Sequence, residues 1–119
     1  MSMSASCTFT NSTGSVIKIT TMGTVNDDAS FNAPPVGTVY QPNDQFTISM
    51  GNSSVPFAPR GVGFNMGFIC QSNFDIGGVY FEDPAVGTPN WSYGNTTAFA
   101  YAEAGGNGGN VYTVDLKLA

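Results

Sequence analysis

Few residues in this chain have the chemistry for a specific site, and the densest group of them lies between positions 80 and 93. Tyr80, Phe81, Glu82 and Asp83 stand in a row, and Trp91 and Tyr93 follow across a proline-containing stretch. Trp and Tyr have an apolar body and a polar tip, so they sit at membrane interfaces or stack on sugar rings. Glu82 and Asp83 supply acceptors for an amine or a hydroxyl headgroup. These six residues are the candidate lipid- or ligand-binding set. The plainer reading of the same residues puts Tyr80 or Phe81 in the core and Trp91 as a plug at the end of the fold.

Other chemistry is scarce. The chain has no histidine, which removes Ser-His-Asp and Cys-His catalysis and histidine metal ligation. Cys7 and Cys70 lack CxxC spacing, and no glycine run leads into a Lys-Ser or Lys-Thr pair as a phosphate-binding loop requires. Two carboxylate pairs occur, Asp27-Asp28 and Glu82-Asp83. Sequence neighbours on a strand point to opposite faces, so neither pair can flank a glycosidic bond by itself. Calcium is a weak candidate at either pair, and a solvated loop is the simpler account. The expectation is a non-enzymatic protein with no cofactor and no metal.

Composition narrows the partners. Of 119 residues only 9 % are charged, against roughly 25 % in an average domain, and the net charge is −5. Lys18, Arg60 and Lys117 are the only cations. Three scattered cations cannot neutralise a run of phosphates, so nucleic acid is set aside. They also give little attraction to anionic lipid, at about 1 kcal/mol per basic residue. A membrane would be met through aromatic and polar groups. The partner expected is a neutral one: a zwitterionic headgroup, a glycan or another copy of the chain.

Two cysteines are too few for a disulfide scaffold, and two buried thiols are the simpler reading, although one bridge is allowed on count. The first residues carry neither a basic nor an apolar signal-peptide region, and no run reaches the roughly 20 apolar residues of a spanning helix. A cytoplasmic or non-classically secreted protein is expected. Sequons at Asn11, Asn52, Asn90 and Asn95 are read as unused.

The elements that position these residues are strands. Gln45 to Met50 alternates Phe46, Ile48 and Met50 against Gln45, Thr47 and Ser49. Phe64, Met66 and Phe68 are in phase within Arg60 to Cys70, with Gly61, Gly63 and Gly67 opposite. That glycine face suits either a close backbone or ligand approach or a bulged strand packed under a neighbour. Cys7 to Asn11 and Ser15 to Thr21 flank a turn at Asn11-Ser12-Thr13-Gly14 and are predicted to pair as a hairpin. Val36 to Gln41 and Ile76 to Glu82 are further strands, and Asp83 to Tyr93 is predicted to be a loop. Thr96 to Glu103 is alanine-rich, but Phe99 and Tyr101 lie two apart, which favours strand over helix. After a glycine-rich turn, Val111 to Leu118 closes the chain, with Tyr112, Val114, Leu116 and Leu118 inward. The sum is a single-domain, all-β antiparallel sandwich of about eight short strands spanning residues 1–119.

An ordered set of segments resembles the aegerolysins. Gly37-Thr38-Val39, Pro42, Phe46 to Ile48, Gly51, Ser53, Gly61 and Gly63-Phe64 are similar to that family's middle section. Tyr80-Phe81-Glu82-Asp83-Pro84, followed by Asn90-Trp91-Ser92, resembles its aromatic-acid-Cys-Pro-Trp-Gly segment and later Asn-Thr-Trp. Val111 to Leu118 is similar to its closing strand. The chain departs from the pattern in having a single Trp, Asp83 in place of the Cys, Ala85 in place of the following Trp, and Arg60 before the glycine-rich turn. The resemblance implies a small acidic β-sandwich that recognises membrane lipids, sphingolipids especially, with a perforin-like partner in some members for pore formation. Two rival expectations stand beside it. A lectin-like module would stack a sugar on Trp91 or Tyr93 with Asn90, Asn95 or Asp83 as polar partners. A self-assembling structural protein would use its weakly charged surface and poorly guarded strand edges to form homo-oligomers.

Overall fold

The computed structural model describes residues 2–25, 30–53, 61–84, 88–106 and 110–119. Asp27-Asp28, Phe57, Arg60 and Ala85 lie outside the described residues. Among the described residues ten strands are present: β1 (Ser2–Asn11), β2 (Ile17–Thr24), β3 (Ser30–Asn32), β4 (Val39–Tyr40), β5 (Gln45–Ser53), β6 (Val62–Cys70), β7 (Ile76–Asp83), β8 (Asn90–Gly94), β9 (Phe99–Gly105) and β10 (Val111–Leu118). They form two five-stranded sheets, ordered β3-β5-β1-β10-β9 and β4-β2-β6-β7-β8. The protein is an all-β sandwich, as the alternating sequence pattern predicts.

Period-two alternation builds the core directly. Phe46, Ile48 and Met50 of β5 face Val62, Phe64, Met66 and Phe68 of β6 across the interior, with Phe9, Val114 and Leu116 beside them. Aromatic contacts knit this core. Phe9 lies 5.0 Å from Phe46 and 5.7 Å from Phe64, the latter edge-on. Such pairs contribute roughly 0.5–1.5 kcal/mol beyond the area they bury. Cys7 and Cys70 are both buried free thiols, and burial pushes the Cys7 thiol up to about 12.

The first two strands do not form a hairpin. β1 pairs with β5 and, in parallel, with β10, whereas β2 pairs with β4 and β6 in the other sheet. The predicted turn exists, with Gly14 at φ 78°, but it is a crossover between layers. The buried Asn11 side chain fixes it. Its amide donates to the carbonyls of Ser15, Tyr40 and Gln41, while its Oδ1 accepts from the Thr13 amide and hydroxyl. A side chain with donors and acceptors can stand in for a sheet ladder in this way.

Three further differences have physical reasons. Asp83 to Tyr93 is not one loop: Trp91 and Tyr93 lie on β8, an edge strand starting just after Pro89, where a missing N–H does no harm. Leu118, at the last position of β10 opposite Phe99, is exposed rather than inward. The glycine face of β6 is covered by its own sheet. β2 slips register between Ile19 and Thr21, and the Thr20 and Thr21 hydroxyls occupy the space where a Gly67 side chain would sit.

Candidate functional site

The six candidate residues do not share one face. β7 and β8 pair with Phe81 opposite Trp91, Val79 opposite Tyr93, Tyr80 opposite Ser92 and Glu82 opposite Asn90. Strand alternation then sends Phe81, Asp83, Trp91 and Tyr93 inward and Tyr80 and Glu82 to the outer surface. Phe81 is fully buried in the core, and Tyr80 is exposed.

The inward group closes one side of the sandwich. β8 and β9 are the edges of their sheets, and an aromatic ladder bridges the gap between them. Tyr101 of β9 stacks on Tyr93 at 4.6 Å, and Tyr93 stacks on Trp91 at 6.2 Å. Trp91 then meets Phe81 at 4.5 Å and Tyr112 at 5.6 Å. Tyr101 and Tyr112 are missed by the sequence-based set. The two-apart spacing of Phe99 and Tyr101 marks a strand face, but pairing across layers is invisible before the topology is known.

The ladder ends in a cleft of about 320 Å³ lined by Pro89, Trp91, Glu103, Ala104, Gly105, Gly106 and Tyr112. Asp83 lies at the same end, 5 % exposed, with its Oδ2 unpartnered. Burial raises its carboxyl pKa above the ordinary carboxylate value. Burial first, and Asp83 second, raise the Tyr112 hydroxyl. The Tyr93 hydroxyl is buried beside the Glu103 carboxylate, and both raise it. Asp83, Tyr93 and Tyr112 therefore keep their protons more firmly than usual, and Glu103 lies exposed at the rim. No group of three metal-ligating side chains comes together among the described residues.

A second feature lies at the opposite end of β7, on the outer face of the β2-containing sheet. The register places Val39, Lys18, Ile69 and Ile76 side by side across β4, β2, β6 and β7. Phe74, in the turn between β6 and β7, stands over them and lines a groove of about 230 Å³ with Val16, Lys18, Val39 and Ile69. Phe74 is 75 % exposed and Ile76 is 58 % exposed. Phe74 also has φ 57°, in the left-handed region that disfavours a residue with a bulky side chain. The sequence signal was a lone Phe in the polar turn Gln71-Ser72-Asn73-Phe74-Asp75, which periodicity does not weigh. Another cavity, about 500 Å³, lies over Ser4, Ser6, Ser49 and Asn110 and has no charged lining residue.

What fold and site define is a two-sheet β-sandwich with an aromatic-closed edge, an acidic cleft at one end and an exposed apolar row at the other. Among solved structures it is similar to IP-1A from Alcaligenes faecalis, with a TM-score of 0.66 over 98 % of this chain and 91 % of that one, at 13 % identity. That likeness shows the shared fold. No family model matches the sequence, and no curated protein does. No helix among the described residues is long and apolar enough to cross a membrane.

Proposed function

We propose that this protein binds lipid membranes without catalysing a reaction, through the apolar row around Phe74. The carrying observation is Phe74 itself. An aromatic ring held three-quarters in solvent costs solubility, and its left-handed backbone costs about 1–2 kcal/mol. Strain of this kind persists where function requires it. Ile76, Ile69 and Val39 extend the apolar surface, and Lys18 stands among them. A lysine can lay its stem on apolar surface while its ammonium reaches a headgroup phosphate. One such charge contributes about 1 kcal/mol, so apolar insertion carries most of the binding. That fits a zwitterionic bilayer, and the aegerolysin-like segments make sphingolipids the first class to test.

The test is co-sedimentation with vesicles of graded sphingolipid content, using the parent chain and Phe74→Ser. The parent should bind at least one composition, and the variant should bind at least tenfold more weakly with an unchanged circular dichroism spectrum. Equal binding by the two chains, or none by folded parent at any composition, defeats the reading.

A further inference from the structure

The cleft beside Trp91 has no part in membrane attachment through Phe74. β7 runs from Ile76 at the apolar row to Asp83 at the cleft, so the two features are separated by about 23 Å of strand. The cleft nevertheless has a specific chemical character.

Its walls are aromatic. The Trp91 and Tyr112 rings stand 5.6 Å apart with planes at 73°, the two sides of a corner. Phe81 backs both, at 4.5 Å from Trp91 and 5.1 Å from Tyr112. The chain passes close to Tyr112 as glycine: a Cβ on Gly106, at φ 84°, would fall 2.7 Å from the Tyr112 ring. Its charge is negative. Glu103 is exposed at the rim, and the deeply buried Asp83 carboxyl has an oxygen without a partner at the same end. The described lysines are remote, since Lys18 pairs with Ile69 and Lys117 with Ala100 at the far ends of their strands.

Aromatic faces attract cations through the ring quadrupole, and desolvation strengthens the attraction. A carboxylate lining such a cleft, as Glu103 does, adds to the same field. An anion would be repelled there. We infer that this cleft binds an organic ammonium group, with the Trp91 and Tyr112 rings as its walls and the Glu103 carboxylate as its counter-charge. An alkylated ammonium suits it best, because such a group needs contact with π faces more than it needs hydrogen-bond acceptors. The ligand is thus held at the end away from the proposed membrane face, and the two activities are separable.

Trp91 is the only tryptophan, so its fluorescence reports on the cleft alone. Choline chloride should change that signal saturably. The neutral isostere 3,3-dimethylbutan-1-ol should act at least tenfold more weakly, and sodium chloride at matched ionic strength should have no effect. Glu103→Gln should weaken choline binding about fivefold, the equivalent of roughly 1 kcal/mol, while leaving vesicle binding as it was. A second arm uses phosphocholine-bearing vesicles with the Phe74→Ser chain, which separates a headgroup source from a free cation. A Trp91 response there supports the same chemistry delivered by a headgroup. No saturable response to choline, or an equal response to the neutral isostere, overturns the inference. Phe74→Ser should leave the choline titration intact, so failure of the membrane reading is distinguishable from failure of this one.

Discussion

The Tyr101 ring stacks on Tyr93 at 4.6 Å with planes 13° apart, joining the edge strand of one sheet to the edge strand of the other. The Tyr101 hydroxyl completes the joint. It donates to the Gly94 carbonyl at 2.6 Å and accepts from the Gly78 amide at 3.2 Å. One side chain on β9 therefore fastens both β7 and β8. Tyr101→Phe keeps the stack and removes both bonds. The urea midpoint should fall by the equivalent of about 1–2 kcal/mol with an unchanged slope. An unaltered midpoint would show that the hydroxyl bonds contribute nothing net.

Phe74 sets stability against binding. Asn tolerates the left-handed backbone far better than Phe does. Phe74→Asn should therefore gain about 1 kcal/mol, raising the thermal midpoint by roughly 3–6 °C, while vesicle binding falls. If the variant is neither more stable nor weaker in binding, the turn is not strained for a purpose.

Alternation was enough to find most of the strands. Phe46, Ile48 and Met50, and again Phe64, Met66 and Phe68, advertise buried faces because side chains on a strand alternate strictly. The free buried thiols and the strand at Phe99–Gly105 follow from equally local cues. What local cues could not supply is pairing. Asn11 and Gly14 signal a turn, but only the interlayer bonds to Tyr40 and Gln41 reveal a crossover. Trp91 and Tyr93 read as loop aromatics because Pro89 and three polar neighbours hide a short edge strand. Alternation splits the candidate set 80–93 between two faces, and the cleft draws Glu103 from β9 and Tyr112 from β10, which no local cue joins to Trp91.

Asn11 should be among the least replaceable polar residues. Its side chain satisfies five backbone and hydroxyl partners in a fully buried position. Asn11→Ala leaves buried carbonyls unpaired, at about 1–3 kcal/mol for each group that water cannot reach. A loss of at least about 3 kcal/mol is expected by denaturant unfolding. A loss below about 1 kcal/mol would mean that water replaces the amide and that the crossover does not depend on it.

Asp83 gives the pH dependence its sign. Burial raises its folded-state pKa above the ordinary 3.8. In the window between 3.8 and the raised value the folded chain holds a proton that the unfolded chain has released. Unfolding there releases a proton, so rising pH favours the unfolded chain. The contribution of Asp83 to stability is thus greatest at or below pH 3.8 and is lost as pH rises through the folded value. Above that window an unpaired carboxylate oxygen is buried, and Asp83→Asn removes the charge. The variant should be more stable than the parent at pH 7 by about 1 kcal/mol, and the advantage should shrink as the pH is lowered towards 4. Thermal unfolding of both chains across pH 4–8 checks this. A constant difference across that range, or a variant less stable at pH 7, would show that the Asp83 carboxylate is compensated in the folded protein.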